Sequence, residues 1–307
     1  MRRRGFLALA CGSALTGCAP SSLTIFDAPP AGFAWDSAHL RFAAPGEVAR
    51  AVAQADIALL GETHDNPRHH AIQLRLLHAA VAAGRRPAVA FEQIDAEWQE
   101  SVDAAVARGT TAAAIAAAGH VSPGWRWALY EPIAAFALEA RLPIVAIGLS
   151  RERARRIVAE GFAALGPGEE ARLALEAPWN ALRNARLRRE IVEGHCGEDS
   201  PIVDKLVLAQ RARDAAMADR LLAREGDGVV AILGRGHARA DIAVPLYLAA
   251  RSGAERVASV GIVETRPEAA RPEDYPETAP GCFDYVWFTP AASRADPCEG
   301  FRLPAGK

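Results

Sequence analysis

The sequence predicts a three-layer α/β sandwich: a largely parallel central sheet flanked by helices, with a helical insertion. Three observations predict it. Short runs that are apolar throughout recur along the chain, as strands covered on both faces require. Helical segments alternate with them, the rhythm of successive βαβ units. Residues 151–224 then read as nearly continuous helix, too long for a simple crossover.

The elements follow in order. Asp56–Gly61 (DIALLG) is the first buried strand. Pro67 suits the first position of a helix capped by Asp65 or Asn66, which runs to about Ala83 and stops at Gly84. Pro87–Glu92 (PAVAFE) is the second strand. Ala96–Ala118 is helical in two pieces, and Trp125–Ala140 is a further helix. Pro143–Gly148 (PIVAIG) is the third strand. The helical stretch after it is broken near Gly166-Pro167-Gly168 and from Gly194 to Pro201. Gly228–Gly234 (GVVAILG) is the fourth strand, with a helix from there to Ser252. Val257–Val263 and Phe283–Phe288 complete the set.

The N-terminus reads as an export signal. Arg2, Arg3 and Arg4 precede a short apolar run, Gly5–Ala14. That run is shorter than the roughly 20 apolar residues a bilayer span takes and has the length of a signal-peptide core. It ends in Leu15-Thr16-Gly17-Cys18, which resembles the bacterial lipobox. Residues 1–17 are therefore expected to be removed, and Cys18 to be lipidated and to anchor the chain through its acyl groups. Ala19 at the next position points to the periplasmic face of the outer membrane. Arg3-Arg4-Gly5-Phe6-Leu7 also resembles a twin-arginine motif, with Arg2 and Ala8 departing from the usual flanks, so the export route stays open. Residues 18–45 read as a tether, 46–290 as the α/β domain, and 291–307 as a C-terminal tail.

Composition excludes some functions. The formal charge is −2 and falls further once the three signal arginines are removed, which argues against nucleic acid as a partner. Only Lys205 and Lys307 are lysines, and the arginine and alanine bias reads as genomic rather than functional. Beyond Cys18 the exported chain has Cys196, Cys282 and Cys298. An oxidising compartment permits pairing. Cys282 and Cys298, close together in a Pro-rich tail, are expected to form a disulfide and to leave Cys196 free.

Function in open α/β sheets gathers at the carboxyl ends of strands. Three strands end in polar residues there: Gly61-Glu62-Thr63-His64, Phe91-Glu92-Gln93 and Gly234-Arg235-Gly236-His237. Two Gly-x-x-His elements thus each follow an apolar strand. Glu62, His64, Glu92 and His237 are expected to share one cleft. Two imidazoles and a carboxylate (His64, His237, Glu92) can hold a divalent metal, with Glu62 as general base on bound water. Of His69 and His70 one is expected to line the cleft and the other to face solvent. His39, His78 and His120 have no motif context and read as structural.

GETHDNPRHHAIQ (Gly61–Gln73), AFEQ (Ala90–Gln93), AQRARDAAMA (Ala209–Ala218) and GRGHARADIAVP (Gly234–Pro245) resemble the ChaN family of haem-binding lipoproteins, within the wider Tiki superfamily. The resemblance spans roughly residues 46–290. It implies a cell-envelope lipoprotein that binds haem in iron uptake, with an outer-membrane haem receptor and a homodimer among its expected partners. It also implies that Arg213 and Asp214 orient the Glu/His cluster from behind; an ordinary helix ion pair is the other reading. Ferric haem favours a His or anionic Tyr ligand, ring contacts, and Arg near its propionates. Tyr130 is the expected axial ligand, with Trp127 facing the same way and His195, in a Gly-flanked break, as a second ligand. Tyr247, Tyr275 and Tyr285 are the alternatives. The competing function is a metal-dependent hydrolase using the Glu62/His64/Glu92/His237 cleft.

Overall fold

The computed structural model describes residues 32–224, 227–252, 256–296 and 298–303. The signal, Cys18 and the first half of the tether lie outside the described residues.

Eight strands form one sheet: β1 (Ala34–Asp36), β2 (Arg41–Ala43), β3 (Ile57–Glu62), β4 (Ala88–Asp95), β5 (Ile144–Gly148), β6 (Val229–Gly234), β7 (Val257–Glu264) and β8 (Tyr285–Thr289). Their order is β2-β1-β8-β7-β3-β6-β4-β5. The six strands from β8 to β5 are parallel, and β1 and β2 add an antiparallel edge. β3, β5 and β6 are buried at every position, which is why they read as unbroken apolar runs.

Helices cover both faces. On one lie α1 (Pro45–Gln54), α2 (Pro67–Ala82), α3 (Gln99–Ala107), α4 (Ala112–Ala118) and α5 (Glu131–Glu139). Their Val48, Leu76, Val102, Ile115 and Ile133 pack with Leu60, Phe91 and Ile232 of the sheet. The insertion contributes α6 (Arg151–Glu160), α7 (Glu169–Arg172), α8 (Ala181–Gly194) and α9 (Ile202–Leu222), and α10 (Arg235–Ala238) and α11 (Val244–Arg251) follow β6. On the second face, Met217 and Leu221 of α9 and Val244 and Tyr247 of α11 meet Leu59, Ala90 and Leu233. Among the described residues no helix is long and apolar enough to cross a membrane.

Four expectations are corrected. Strands β1 and β2 fall in the stretch read as tether; at three residues each they are too short to show periodicity. Trp125–Ala140 is not one helix, because Arg126, left-handed at φ 52°, separates two 3₁₀ turns, and α5 begins only at Glu131. The helix after β6 is likewise interrupted, between α10 and α11. Finally, the disulfide joins Cys196 to Cys298, not Cys282 to Cys298. Cys282 is 3% exposed, packed in the core with Tyr275 and Phe283, and cannot reach the exposed tail. Cys196, in the turn between α8 and α9, stands 5.4 Å from Cys298 Cα to Cα, within normal disulfide reach.

Candidate functional site

The three central strands, β3, β6 and β4, are neighbours, so Glu62, Gly234 and Glu92 arrive side by side at one sheet end. Glycine is required twice there. A Cβ on Gly61 would lie 2.8 Å from both Ala238 Cβ and Arg235 Cα, so α10 can pack on β3 only over a bare backbone. A Cβ on Gly234 would lie 2.9 Å from the His64 ring, and the Gly234 N–H donates to Glu92 Oε2 at 2.6 Å.

Glu62, 2% exposed, anchors the first half of the cluster. Its Oε1 accepts from the Tyr130 hydroxyl at 2.7 Å and from His64 Nδ1 at 2.8 Å. His70 Nδ1 lies 3.0 Å from Oε2 but is directed to Gln73 Oε1 at 3.1 Å, so its influence on Glu62 is chiefly that of its charge. Burial opposes ionisation of Glu62; the hydrogen bond from His64 and the nearby His70 outweigh it and hold the carboxyl below its usual range. Burial likewise opposes charge on His64 and His70, and the Glu62 carboxylate overrides it, so both rings are held above the ordinary histidine value.

His237 anchors the second half. Its Nδ1 lies 2.5 Å from Asp214 Oδ1, and its Nε2 lies 3.2 Å from Glu92 Oε1. Burial disfavours its charge, but the two carboxylates outweigh burial and keep the ring protonated. Burial works against Glu92 in the same way; the charge of His237 carries its carboxyl down to about 2. Asp214 belongs to this cluster, whereas its neighbour Arg213 turns away and donates to the Leu149 carbonyl at 3.1 Å.

This arrangement corrects the metal assignment. A metal needs a lone pair from each imidazole, and both nitrogens of His237 face carboxylates. Glu92 is a buried acceptor engaged on both oxygens, and Glu62 is engaged on Oε1, with His70 3.0 Å from its Oε2. Among the described residues no group of three or more His, Cys, Asp or Glu side chains is placed to hold a metal ion. The strand-end residues do come together, as two buried ion-pair clusters.

One side chain of the cluster stays open. His64 has 46% of its side chain exposed, and among the described residues its Nε2 has no hydrogen-bond partner. Its ring packs edge-on to Trp125 at 4.7 Å. Both line a cleft of about 300 Å³ together with Gln93, Asp95, His120, Arg151 and Arg213. Beside it lies a groove of about 340 Å³. Apolar residues of α6, α8 and α9, among them Val158, Ile191 and Leu206, form its walls, with Arg155 and His195 at the edge. Arg151 and Arg213 line both cavities. The His195 Nδ1 lies 2.6 Å from the Ile191 carbonyl, which can only accept, so Nδ1 carries the proton and a neutral ring keeps its lone pair on Nε2.

The expected haem residues separate. Tyr130 is fully buried, and burial together with the Glu62 charge raises its hydroxyl far above the ordinary tyrosine value. It is a hydrogen-bond donor to Glu62, not an accessible phenolate. Trp127 is 9% exposed and donates to the Ala112 carbonyl, a core role. Tyr247 and Tyr275 are buried, and Tyr285, at the opposite end of the sheet from Glu62, lines a different pocket. His195 alone of the three lines an open cavity. His69 and His70 are both buried: His69 accepts from Thr63 N–H and meets Thr289 Oγ1 at 2.9 Å, and burial lowers it to about 4. His120 stacks on Trp98 as a structural residue would, yet lines the cleft too. Sequence reasoning missed Arg151, Arg155 and Asp95, which lie on no motif. Gln93 stood in the AFEQ segment without a role.

The family described as haem-binding uptake, Tiki superfamily, ChaN matches residues 48–248. No curated protein matches the sequence. Among solved structures, ChaN of Campylobacter jejuni, described with cofacially bound haem, superposes with a TM-score of 0.69 at 21% identity over 83% of this chain and 95% of that one. The type III effector HopBA1 gives 0.44 at 10% identity, over 81% and 94% of the two chains. A Bacillus cereus protein gives 0.41 at 15% identity, over 72% and 70%. The first shows a shared fold, and the other two are too distant to carry an argument.

Proposed function

This chain belongs to the ChaN family of the Tiki superfamily, and from that premise we propose that it binds haem in the groove between α6, α8 and α9. One observation carries the reading: His195, with Nδ1 held as a donor to Ile191, offers a lone pair at the edge of an apolar groove flanked by Arg151, Arg155 and Arg213. An apolar wall suits a macrocycle, a neutral imidazole suits its iron, and guanidinium groups suit its carboxylates. Bound haem would supply its iron as the group that is carried. The chain's residues do the rest: α6, α8 and α9 exclude water, Ile191 orients His195, and the arginines hold the acidic edge.

The hydrolase alternative has less behind it than the haem reading, because Glu62 and Glu92 stand buried beside histidines. The basic n-region and the lipobox at Cys18 support a lipid-anchored protein on the periplasmic side of the outer membrane, which exchanges haem with a receptor there and serves iron uptake. Mass spectrometry finding Cys18 unmodified would remove the anchor from this reading.

The test is a spectroscopic titration with haemin. Wild type should give a saturable Soret change. His195→Ala should weaken binding, and added imidazole should restore the spectrum. A wild type that does not bind haemin overturns the proposal. A His195→Ala variant identical to wild type overturns the ligand.

A further inference from the structure

We infer that Gln93, Arg151 and Arg213 form a carboxylate-recognition subsite where the cleft meets the groove, so that a porphyrin seated in the groove places one carboxylate arm in the cleft. The inference rests on the haem reading and adds to it a function for the strand-end cleft.

Gln93 is the first observation. It follows Glu92 on the central strand β4, is 2% exposed and lines the cleft. Among the described residues neither its amide nitrogen nor its amide oxygen makes a hydrogen bond of normal geometry, although the side chain lies near enough to the Tyr130 hydroxyl to counter in part the rise that burial imposes there. A buried side-chain amide without partners is costly, so such a group at a cavity wall marks a place where a ligand completes the bonding. Its N–H₂ can donate to an oxygen in the cleft.

The second observation is charge. Among the described residues neither Arg151 nor Arg213 lies in an ion pair with a carboxylate, unlike Arg153, Arg172, Arg188 and Arg211 of the insertion. Arg213 is fixed by the Leu149 carbonyl, and Arg151 opens α6 directly after β5. His64, held above the ordinary histidine value by Glu62 against the effect of burial, adds to the cationic side of the cleft. Against them stand Glu92, which His237 neutralises, and Asp95. Burial raises the Asp95 carboxyl, with Glu97 adding to the effect and Arg213 opposing it. The cleft therefore has a cationic surplus within low-dielectric walls, which favours an anion.

The third observation is continuity. Arg151 and Arg213 are shared by the two cavities, one largely apolar and one polar. A ligand with a flat apolar body and flexible carboxylate arms matches this pairing. A small free anion would fill the cleft and leave the groove without an occupant.

The experiment compares two ligands on the whole chain in detergent: haemin and its dimethyl ester, which has the same ring and iron but no carboxylates. Wild type, Gln93→Leu, Arg151→Met and Arg213→Met are titrated with each. A lost charge-assisted hydrogen bond corresponds to about tenfold to a hundredfold in affinity. Each variant should lose about that much for haemin and almost nothing for the diester. The iron-ligand bands should remain those of wild type, since His195 is untouched. Metal-free protoporphyrin, followed by its fluorescence, should show the same carboxylate dependence. A wild type that binds haemin and diester equally overturns the subsite and leaves the haem reading standing. A wild type that binds neither overturns the haem reading. Variants that weaken both ligands alike assign these residues to the fold rather than to carboxylate recognition. Circular dichroism of each variant identifies misfolding, and Arg151→Met, on an exposed side chain, remains the decisive variant if Gln93→Leu does not fold.

Discussion

Replacing Cys298 by Ser should lower the stability of the α/β domain substantially and free its C-terminal tail. The bridge spans a sequence separation of 102 residues, from the turn before α9 through β6, β7 and β8. On the chain-entropy model a loop of that length corresponds to about 4.7 kcal/mol of lost unfolded-state freedom. For a chain of this size that is a fall in Tm of about 9 °C, at about 2 °C per kcal/mol. The figure is a ceiling, because the tail can detach before the domain unfolds. Beyond Ala292 and Arg294, which are held by Glu264 and Asp65, little among the described residues holds its end without the bridge: Leu303 against the α8–α9 cluster, Phe301 beside the His195 ring at 5.9 Å, and an exposed contact between Arg302 and Glu198. The assay is thermal unfolding by circular dichroism for wild type and Cys298→Ser, with limited proteolysis of the tail and non-reducing peptide mapping in parallel. Recovery of one peptide pair linking Cys196 to Cys298, with Cys282 protected until denaturation, is expected. A bridge mapped to Cys282 refutes the assignment. A Cys298→Ser variant within about 1 °C of wild type, with its tail still resistant to protease, refutes the energetic argument.

His237→Gln leaves Glu92 and Asp214 buried without their cation and should cost about 3–5 kcal/mol in urea unfolding; a loss under about 1 kcal/mol would show the pairs to be unimportant. Stability should also follow pH. His237, raised in the fold to about 10, stabilises fully below its unfolded value and progressively less as pH rises from about 6.5 to 10. Glu92, lowered to about 2, stabilises above its unfolded value and loses that contribution as pH falls from about 4.5 toward 2. Urea midpoints measured across pH should therefore be highest between those windows, and a midpoint that climbs from pH 7 to pH 9 contradicts the assignment. Tyr130→Phe removes a hydrogen bond to a buried carboxylate and should cost about 1.5–3 kcal/mol, with the haemin spectrum unchanged; a shifted spectrum would return Tyr130 to the iron. Gly61→Ala forces backbone apart between β3 and α10 and should destabilise by about 1–3 kcal/mol, whereas a neutral result would mean that α10 is free to move.

The central sheet was legible because burial on both faces leaves a plain mark, an apolar run of strand length. β3, β4, β5, β6 and β7 all follow it, with ends displaced by only a residue or so except at β4. The edge strands β1 and β2 carry no such mark, because each has three residues and Phe42 is partly exposed. The break at Arg126 was hidden for a different reason. A left-handed arginine is held by its surroundings, and nothing in the type of residue announces it. Cysteine pairing was hidden most completely, since closeness in sequence says nothing about whether one thiol is enclosed in the core.

At the site, the strand-end rule placed Glu62, His64, Glu92 and His237 in one neighbourhood, but residue types alone could not say which would face a ligand. Acids and imidazoles at such an end can bind a metal or bind one another. The outcome is decided by burial. Once Glu62 and Glu92 are almost wholly enclosed, each must take hydrogen bonds or positive charge from its neighbours, and His64, His70 and His237 are the cations within reach. What remains for a ligand is therefore the less conspicuous set at the rim. The free edge of His64 and the residue Gln93 line the cleft, Arg151 and Arg213 stand on the wall between the cavities, and His195 lies on a loop that no strand end predicts. On the haem reading, the strand-end cluster fixes the frame, and the inserted helices carry the ligand contacts.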